Sequence, residues 1–149
     1  NDVWKNWDKI KEETEKKQLF SMPKTLPNLI KAQKTQNIAA RKGFDWKNNE
    51  DTFDKVKEEF TEFTNSLKKN KSEQEEEAGD IIFSIINMLR KYDIDAEQAL
   101  KKSTDKFIKR FNHMLSDCKK NKKNFETLPL NEKETLWNHI KSKEKNLAI

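Results

Sequence analysis

Residues 72–89 read SEQEEEAGDIIFSIINML and decide the fold class of this 149-residue chain. A helix over this stretch carries apolar side chains on most of its circumference, and its polar residues Glu77, Asp80, Ser84 and Asn87 form one narrow stripe. A helix of this kind needs packing partners on two sides. Because one small domain offers few such partners, we expect a second copy of the chain on one side, in a homodimer or higher homo-oligomer with a large apolar interface.

The rest of the sequence predicts further helices and no sheet. Only two Gly and three Pro occur, and alternating runs of β-branched residues are almost absent. Helices are expected at about residues 25–43, 51–67, 72–89 and 95–120, and from 131 onward. We therefore expect an all-α fold, a four-helix-type bundle that forms oligomers, with residues 1–22 as a connector helix and residues 23–149 as one domain. The start at Asn1 rather than Met suggests a piece of a longer protein.

Short polar motifs predict where the helices begin and end. Thr25 stands where the N-cap of the first core helix is expected, with Pro27 in the first turn, and Gly43 is a natural C-terminal stop. Ser72 and Glu75 have capping-box spacing for the third core helix. Asn131 with Glu134 predicts the start of the last helix in the same way.

Composition narrows the class of protein without fixing its partner. The formal charge is +5 and opposite charges are interleaved, which suits an anionic small molecule as well as nucleic acid. The single Cys118 excludes an internal disulfide and lacks the spaced ligands of a zinc site. Neither an apolar stretch of about 18 residues nor a signal-peptide pattern occurs, so we expect a soluble cytoplasmic protein.

Two pairs of acids point to a metal site. Glu59 and Glu62 are three residues apart on one predicted helix, and so are Glu77 and Asp80 on the next, so each pair shares a helix face. A short loop favours antiparallel packing of the two helices, which lets the pairs meet. Four carboxylates in one small volume repel one another unless a hard cation compensates them. Magnesium fits such an oxygen ligand set, and manganese is a possible substitute.

Five pieces of sequence, in order along residues 23–141, resemble one protein family. They are LPNLIKAQKTQNIAARKGFDW at 26–46, the acids Glu58, Glu59 and Glu62, the pair Glu77 and Asp80 before an apolar run, DKFIKRF at 105–111, and Trp137. Together they are similar to the MazG family of all-α nucleoside triphosphate pyrophosphohydrolases. The resemblance is to a single MazG domain, of the kind found at the C-terminal end of two-domain members, and it makes residues 23–149 the expected catalytic domain.

The resemblance implies magnesium-dependent hydrolysis of a nucleoside triphosphate to the monophosphate and pyrophosphate, as nucleotide-pool housekeeping. Matching positions make Glu59, Glu62, Glu77 and Asp80 the expected metal ligands. They make Lys106 and Arg110 the expected phosphate contacts, and Lys55 and Trp137 further substrate contacts. Glu58 or Glu62 is expected to orient or deprotonate the attacking water. Ile108 and Lys109 depart from the acidic or arginine residues that family members often carry there.

Two alternatives remain open at this point. The chain could be a helical interaction module, either an inactive relative or a basic nucleic-acid-binding scaffold, since its basic residues exceed its acidic ones. It could also have the same fold and act on dUTP or phosphoribosyl-ATP. Nucleic acid is the less favoured partner because the lysine run at residues 119–123 has no interleaved aromatic residues.

Overall fold

The computed structural model describes residues 19–146, and in this part of the chain every regular element is a helix. The five helices are α1 (Asn28–Arg41), α2 (Asp51–Ser66), α3 (Lys71–Lys91), α4 (Ala96–Lys120) and α5 (Leu130–Asn146). The predicted all-α class is confirmed. Of the predicted connector, residues 1–18 lie outside the described residues, so the proposed domain boundaries remain a prediction. The chain divides into two compact units, Asn1–Glu97 and Gln98–Ile149.

Helix α3 is the central element of the first unit and packs against both α1 and α2. Helices α2 and α3 run antiparallel, because the ring of Phe53 near the start of α2 meets that of Tyr92 just after α3, with centroids 5.7 Å apart. Helix α1 is also tied to α3, because the Gln36 side chain donates from Nε2 to the Phe83 carbonyl at 2.9 Å. The acidic residues of α2 and α3 are therefore held on neighbouring antiparallel helices.

The first core helix ends as predicted but begins differently. Gly43 has φ +87°, a conformation that glycine adopts without a Cβ penalty, and its N–H donates to the Ala40 carbonyl at 2.9 Å. The prediction that Thr25 caps the helix is wrong. Pro27 occupies the N-cap position, and its carbonyl accepts from Lys31 N at 2.9 Å, because Thr25 lies in a preceding turn.

Two further predicted caps are also wrong. Asn70, not Ser72, caps α3: its Oδ1 accepts from Glu73 N at 3.0 Å and its Nδ2 donates to the Glu73 carboxylate at 2.7 Å. Asparagine caps at least as well as serine, so the helix starts at the earlier residue. Asn131 lies inside α5, because the Pro129 carbonyl already accepts backbone N–H groups of the first turn.

The second unit contains α4 and α5, and aromatic contacts hold its parts together. The rings of Phe107 and Trp137 have centroids 5.3 Å apart, and Phe111 meets Phe125 edge-on at 5.3 Å. Cys118 is a free and buried thiol. Among residues 19–146, no helix combines the length and the apolar character needed to cross a bilayer.

Many large apolar side chains remain in contact with water. In the first unit the exposed fractions are 51% for Phe60, 55% for Leu67 and 55% for Ile82. The buried hydrophobic residues among those described are few: Ile81, Ile86, Ala96, Met114, Cys118 and Ile140. A chain this small with so much exposed apolar surface has not satisfied its helices by internal packing alone.

Candidate metal centre

Three of the predicted metal ligands converge between α2 and α3. Glu59, Glu77 and Asp80 each direct one carboxylate oxygen into a group whose members lie within 4.8 Å of one another. The spacing along α3 puts Glu77 and Asp80 on one face, and antiparallel packing brings Glu59 of α2 to that face. We call Glu59, Glu77 and Asp80 the carboxylate trio. Their burial falls in steps, from buried Glu59 through half-buried Glu77 to exposed Asp80.

Glu59 is the member of the trio that most needs a cation. It is 6% exposed, and its Oε2 atom is buried without a hydrogen-bond partner among the described residues. A buried anionic oxygen without a partner costs free energy, which a cation would recover. The donor set of three carboxylates, with no sulfur or imidazole, suits a hard ion such as magnesium. The residues present therefore fit a divalent metal.

Lys55 supplies the positive charge that meets the trio in this structure. Its Nζ lies 2.7 Å from Glu59 Oε1 and 2.9 Å from Glu58 Oε1, one turn along α2. The hydrogen bonds that Lys55 donates to Glu59 and Glu58 raise the pKa of its ammonium group well above the usual range. Lys55 was predicted to contact substrate, and here it neutralises one oxygen of Glu59 while the other stays unpaired.

Glu62, the fourth predicted ligand, is outside the trio but inside its electrostatic field. The side chain is exposed on α2. Partial loss of water contact and the negative charges of Glu59, Glu58 and Glu77 raise the pKa of Glu62 above its ordinary value. The Glu62 carboxylate is therefore the nearby group whose proton affinity the cluster increases. Its role as ligand or base remains a prediction.

The predicted phosphate contacts Lys106 and Arg110 lie on the second unit, where Arg110 contacts Trp137, a further predicted substrate residue. The Arg110 guanidinium is 5.6 Å from the centre of the Trp137 ring, and its Nε and Nη2 donate to Glu144 Oε2 at 2.8 and 2.7 Å. Arg110 lowers the pKa of Glu144, chiefly by hydrogen bonding. Lys106 is exposed one turn earlier on α4. A phosphate that binds Arg110 must therefore compete with Glu144.

Sequence reasoning missed the residues that fix the loop after α1. Asp45 forms an ion pair with Arg90 near the end of α3, and Lys91 Nζ donates to the Trp46 carbonyl at 2.8 Å. The hydrogen bond from Arg90 lowers the pKa of Asp45. These contacts join residues about 45 positions apart, and helical periodicity gives no signal for such pairs.

Comparison with known proteins identifies the fold around this site. Residues 47–115 match the family model described as the MazG nucleotide pyrophosphohydrolase domain. Residues 47–115 thus belong to the MazG domain family. The matched range includes the carboxylate trio, Glu62, Lys106 and Arg110, whereas Trp137 lies beyond it. The resemblance found in the sequence is thus confirmed for the family.

Two relatives extend the likeness over nearly the whole chain. The Thermotoga maritima protein named nucleoside triphosphate pyrophosphohydrolase/pyrophosphatase MazG is 35% identical over 142 residues, which is 93% of this chain and 55% of that protein. An Escherichia coli protein named nucleoside triphosphate pyrophosphohydrolase is 32% identical over 155 residues, 99% of this chain and 59% of that protein. The chain therefore spans somewhat more than half the length of either relative.

Proposed function

We propose that this MazG domain hydrolyses nucleoside triphosphates with magnesium, consuming one water and giving the nucleoside monophosphate and pyrophosphate. The observation that carries the proposal is the unpaired, buried Oε2 of Glu59 beside two further carboxylates. A purely structural acid at this position would be paired on both oxygens or placed in water. The names of the two relatives support the same chemistry.

The carboxylate trio is proposed to hold the metal, for which manganese can substitute. A bound magnesium ion would supply positive charge to phosphate oxygens and lower the pKa of a water molecule. Glu59, Glu77 and Asp80 provide oxygen ligands from two rigid helices, so little reorganisation is needed when the ion binds. Glu62 would complete the set or act beside it.

Glu62 is the better of the two predicted residues for accepting a proton. Glu58 is engaged with Lys55 at 2.9 Å, so its carboxylate already has a cation as partner. No ion pair of Glu62 occurs within residues 19–146, and partial loss of water contact together with the surrounding acids raises its pKa. A carboxylate with a raised pKa takes a proton from water more readily, so we assign the general-base role to Glu62.

Lys106 and Arg110 are proposed to bind the phosphates that leave as pyrophosphate. Arg110 offers a planar guanidinium that can contact two phosphate oxygens at once, and its contact with Trp137 limits its motion. Lys106 adds a mobile positive charge from the same helix. Lys55 is proposed to turn from Glu59 toward a phosphate once a metal ion satisfies that carboxylate.

A second copy of the chain is the proposed partner of the exposed apolar surface. Three large apolar side chains are each more than half exposed: Phe60 on α2, Leu67 just after α2, and Ile82 on α3. Covering such side chains contributes about 25 cal/mol for each Å² removed from water, which favours a homodimer or higher homo-oligomer. The cytoplasmic location remains a prediction.

One assay separates this proposal from its rivals. Purified protein is incubated with ATP, GTP, CTP, UTP, dUTP or phosphoribosyl-ATP, with and without MgCl₂, and pyrophosphate and phosphate are measured separately. We expect wild type to release pyrophosphate only with the metal and Glu59→Gln to release none. The control Glu76→Gln makes the same charge change at an exposed position and should release pyrophosphate normally. Release of phosphate would contradict the cleavage site. Metal-independent binding of polyanions that weakens with salt would favour the basic scaffold.

A further inference from the structure

A second feature of the first unit is a cavity of about 390 Å³ between α1, the loop after it and α3. Three aromatic residues line it, Phe44 and Trp46 from the loop and Phe83 from α3, together with the amide side chains of Gln36 and Asn87. None of these residues belongs to the carboxylate trio. A concave, mostly apolar site with a few convergent polar groups is typical of small-molecule binding.

Gln36 gives this cavity a fixed acceptor. The residue is 6% exposed, and its Nε2 donates to the Phe83 carbonyl at 2.9 Å, which sets the orientation of the amide. Its Oε1 is buried and lacks a hydrogen-bond partner among the described residues. An unpaired buried carbonyl destabilises the folded chain, so a ligand with an N–H donor would be favoured here.

Asn87 presents the opposite polarity on the same wall. Its Oδ1 accepts from Arg90 Nε at 2.9 Å, so the side chain has its Nδ2 group as a donor. The charge of Arg90 is balanced by Asp45, and the Arg90 side chain is only 10% exposed. The cavity thus combines an acceptor and a donor with little net charge, which suits a neutral heterocycle better than an anion.

The aromatic rings around the cavity are accessible to a planar ligand. The exposed fractions are 86% for Phe44, 38% for Trp46 and 45% for Phe83. Lys91 Nζ donates to the Trp46 carbonyl at 2.8 Å, which ties this part of the loop to α3. Nucleobases stack favourably on such rings, because every base has a flat π face.

The cavity continues the face of α3 that bears the metal centre. Asp80, Phe83 and Asn87 are at positions i, i+3 and i+7, which share one side of a helix. The helical rise puts Phe83 about 4.5 Å and Asn87 about 10 Å along the axis from Asp80. A nucleotide with its phosphates at the trio can therefore extend its base along α3 toward Phe83.

We propose that this cavity holds the nucleobase of the substrate, stacked on Trp46 or Phe44 with a base N–H donating to Gln36 Oε1. The inference rests on the proposed function for its substrate class. It adds that selection among nucleotides is made by a site on α1, its following loop and α3. Gln36 and Asn87 read the hydrogen-bonding edge of the base, and Asp45 with Arg90 positions the loop.

The test compares a nucleoside monophosphate with ribose 5-phosphate, which lacks the base, without metal. Binding is followed by NMR in ¹⁵N-labelled protein, with the Trp46 indole signal assigned from Trp46→Phe. We expect the monophosphate to shift the Trp46 and Gln36 side-chain signals and ribose 5-phosphate to leave them in place. If the monophosphate binds and these signals do not shift, the base lies elsewhere and the proposal is overturned. This holds whether the base then lies at another site of the same chain or at one completed by a second copy.

Variants test the two contacts separately. Phe44→Ala and Trp46→Leu should each weaken monophosphate binding about tenfold without changing ribose 5-phosphate binding. Because Phe44 is 86% exposed, its replacement does not threaten folding. The distant Leu130→Ala, 70% exposed, is the control. Equal weakening of both ligands, or of neither, would contradict the base site.

The donor requirement has its own readout. A monophosphate whose base N–H groups are methylated should bind wild type about tenfold more weakly, and Gln36→Met should bind both forms alike. Unchanged discrimination in Gln36→Met would refute the role of this amide. Since these experiments need no turnover, a chain that binds the base without hydrolysing triphosphates would refute the proposed function alone.

Discussion

Replacement of Glu59 by Gln should abolish magnesium binding while leaving the metal-free fold almost as stable as before. The side chain of Glu59 is 7% exposed and pairs with Lys55, whose side chain is 35% exposed. After the replacement Lys55 keeps its contact with Glu58 at 2.9 Å and its access to water. No buried charge is left uncompensated, so the large cost of breaking a buried pair does not apply.

The two expected magnitudes differ enough to be separated. Without metal, loss of the Lys55 contact and relief of the unpaired Oε2 oppose each other, and the free energy of unfolding should change by no more than about 1 kcal/mol, or roughly 4 °C in Tm. With magnesium at about 100 times its Kd, binding to the folded state stabilises wild type by about 2.7 kcal/mol, roughly 10 °C. Glu59→Gln should lose that increase.

The assay is thermal unfolding followed by circular dichroism over a series of MgCl₂ concentrations at constant ionic strength, which removes general screening effects. Glu76→Gln, exposed on α3, is the matched control and should respond to magnesium as wild type does. An equal magnesium-induced rise in Tm for Glu59→Gln and wild type would refute the carboxylate trio as the metal site. A wild-type Tm that does not respond to magnesium at any concentration would do the same.

Three further predictions concern single residues of the first unit. Gly79→Ala should raise the free energy of unfolding in urea by about 0.5–1 kcal/mol, because a Cβ there meets nothing within 4 Å and alanine favours the helix; a loss of stability would indicate a hidden contact. Glu62→Gln should have a higher metal-free Tm than wild type at neutral pH, and the two Tm values should converge in acid. The reason is that the pKa of Glu62 is raised in the folded chain, so its ionised form destabilises the fold as pH rises. A Tm difference that does not depend on pH would contradict this. Asp45→Asn should lower the free energy of unfolding by about 1 kcal/mol at neutral pH. Because Arg90 lowers the pKa of Asp45 in the folded chain, this difference from wild type should vanish as the pH falls below 3.8. A difference that persists at low pH would argue against the ion pair.

The sequence alone was sufficient for the helices and for the acidic pairs. The period of apolar residues predicted α2 and α3 to within about two residues, because periodicity is a local property of the chain. Gly43 was identified as a helix stop for the same reason, since only the local backbone demands a positive φ there. The caps at Thr25 and Ser72 were misjudged because several neighbouring residues can cap a helix and packing selects among them.

Which acids meet was decided by tertiary structure. Sequence spacing put Glu59 with Glu62 and Glu77 with Asp80, but the rotation of α2 against α3 buries Glu59 in the trio and leaves Glu62 exposed. A carboxylate gains or loses burial through small rotations of its helix, and local spacing does not determine them. The same holds for the contact of Arg110 with Glu144 on another helix.

The cavity beside α3 lay wholly beyond sequence reasoning. Gln36 and Phe83 are 47 residues apart, and nothing in the helical pattern of either residue indicates that their side chains share a wall. Local propensity and periodicity determined the helices and the residues along each face of this MazG domain. Long-range packing determined which side chains lost water and which found a partner, because burial and hydrogen bonding depend on neighbours distant in the chain.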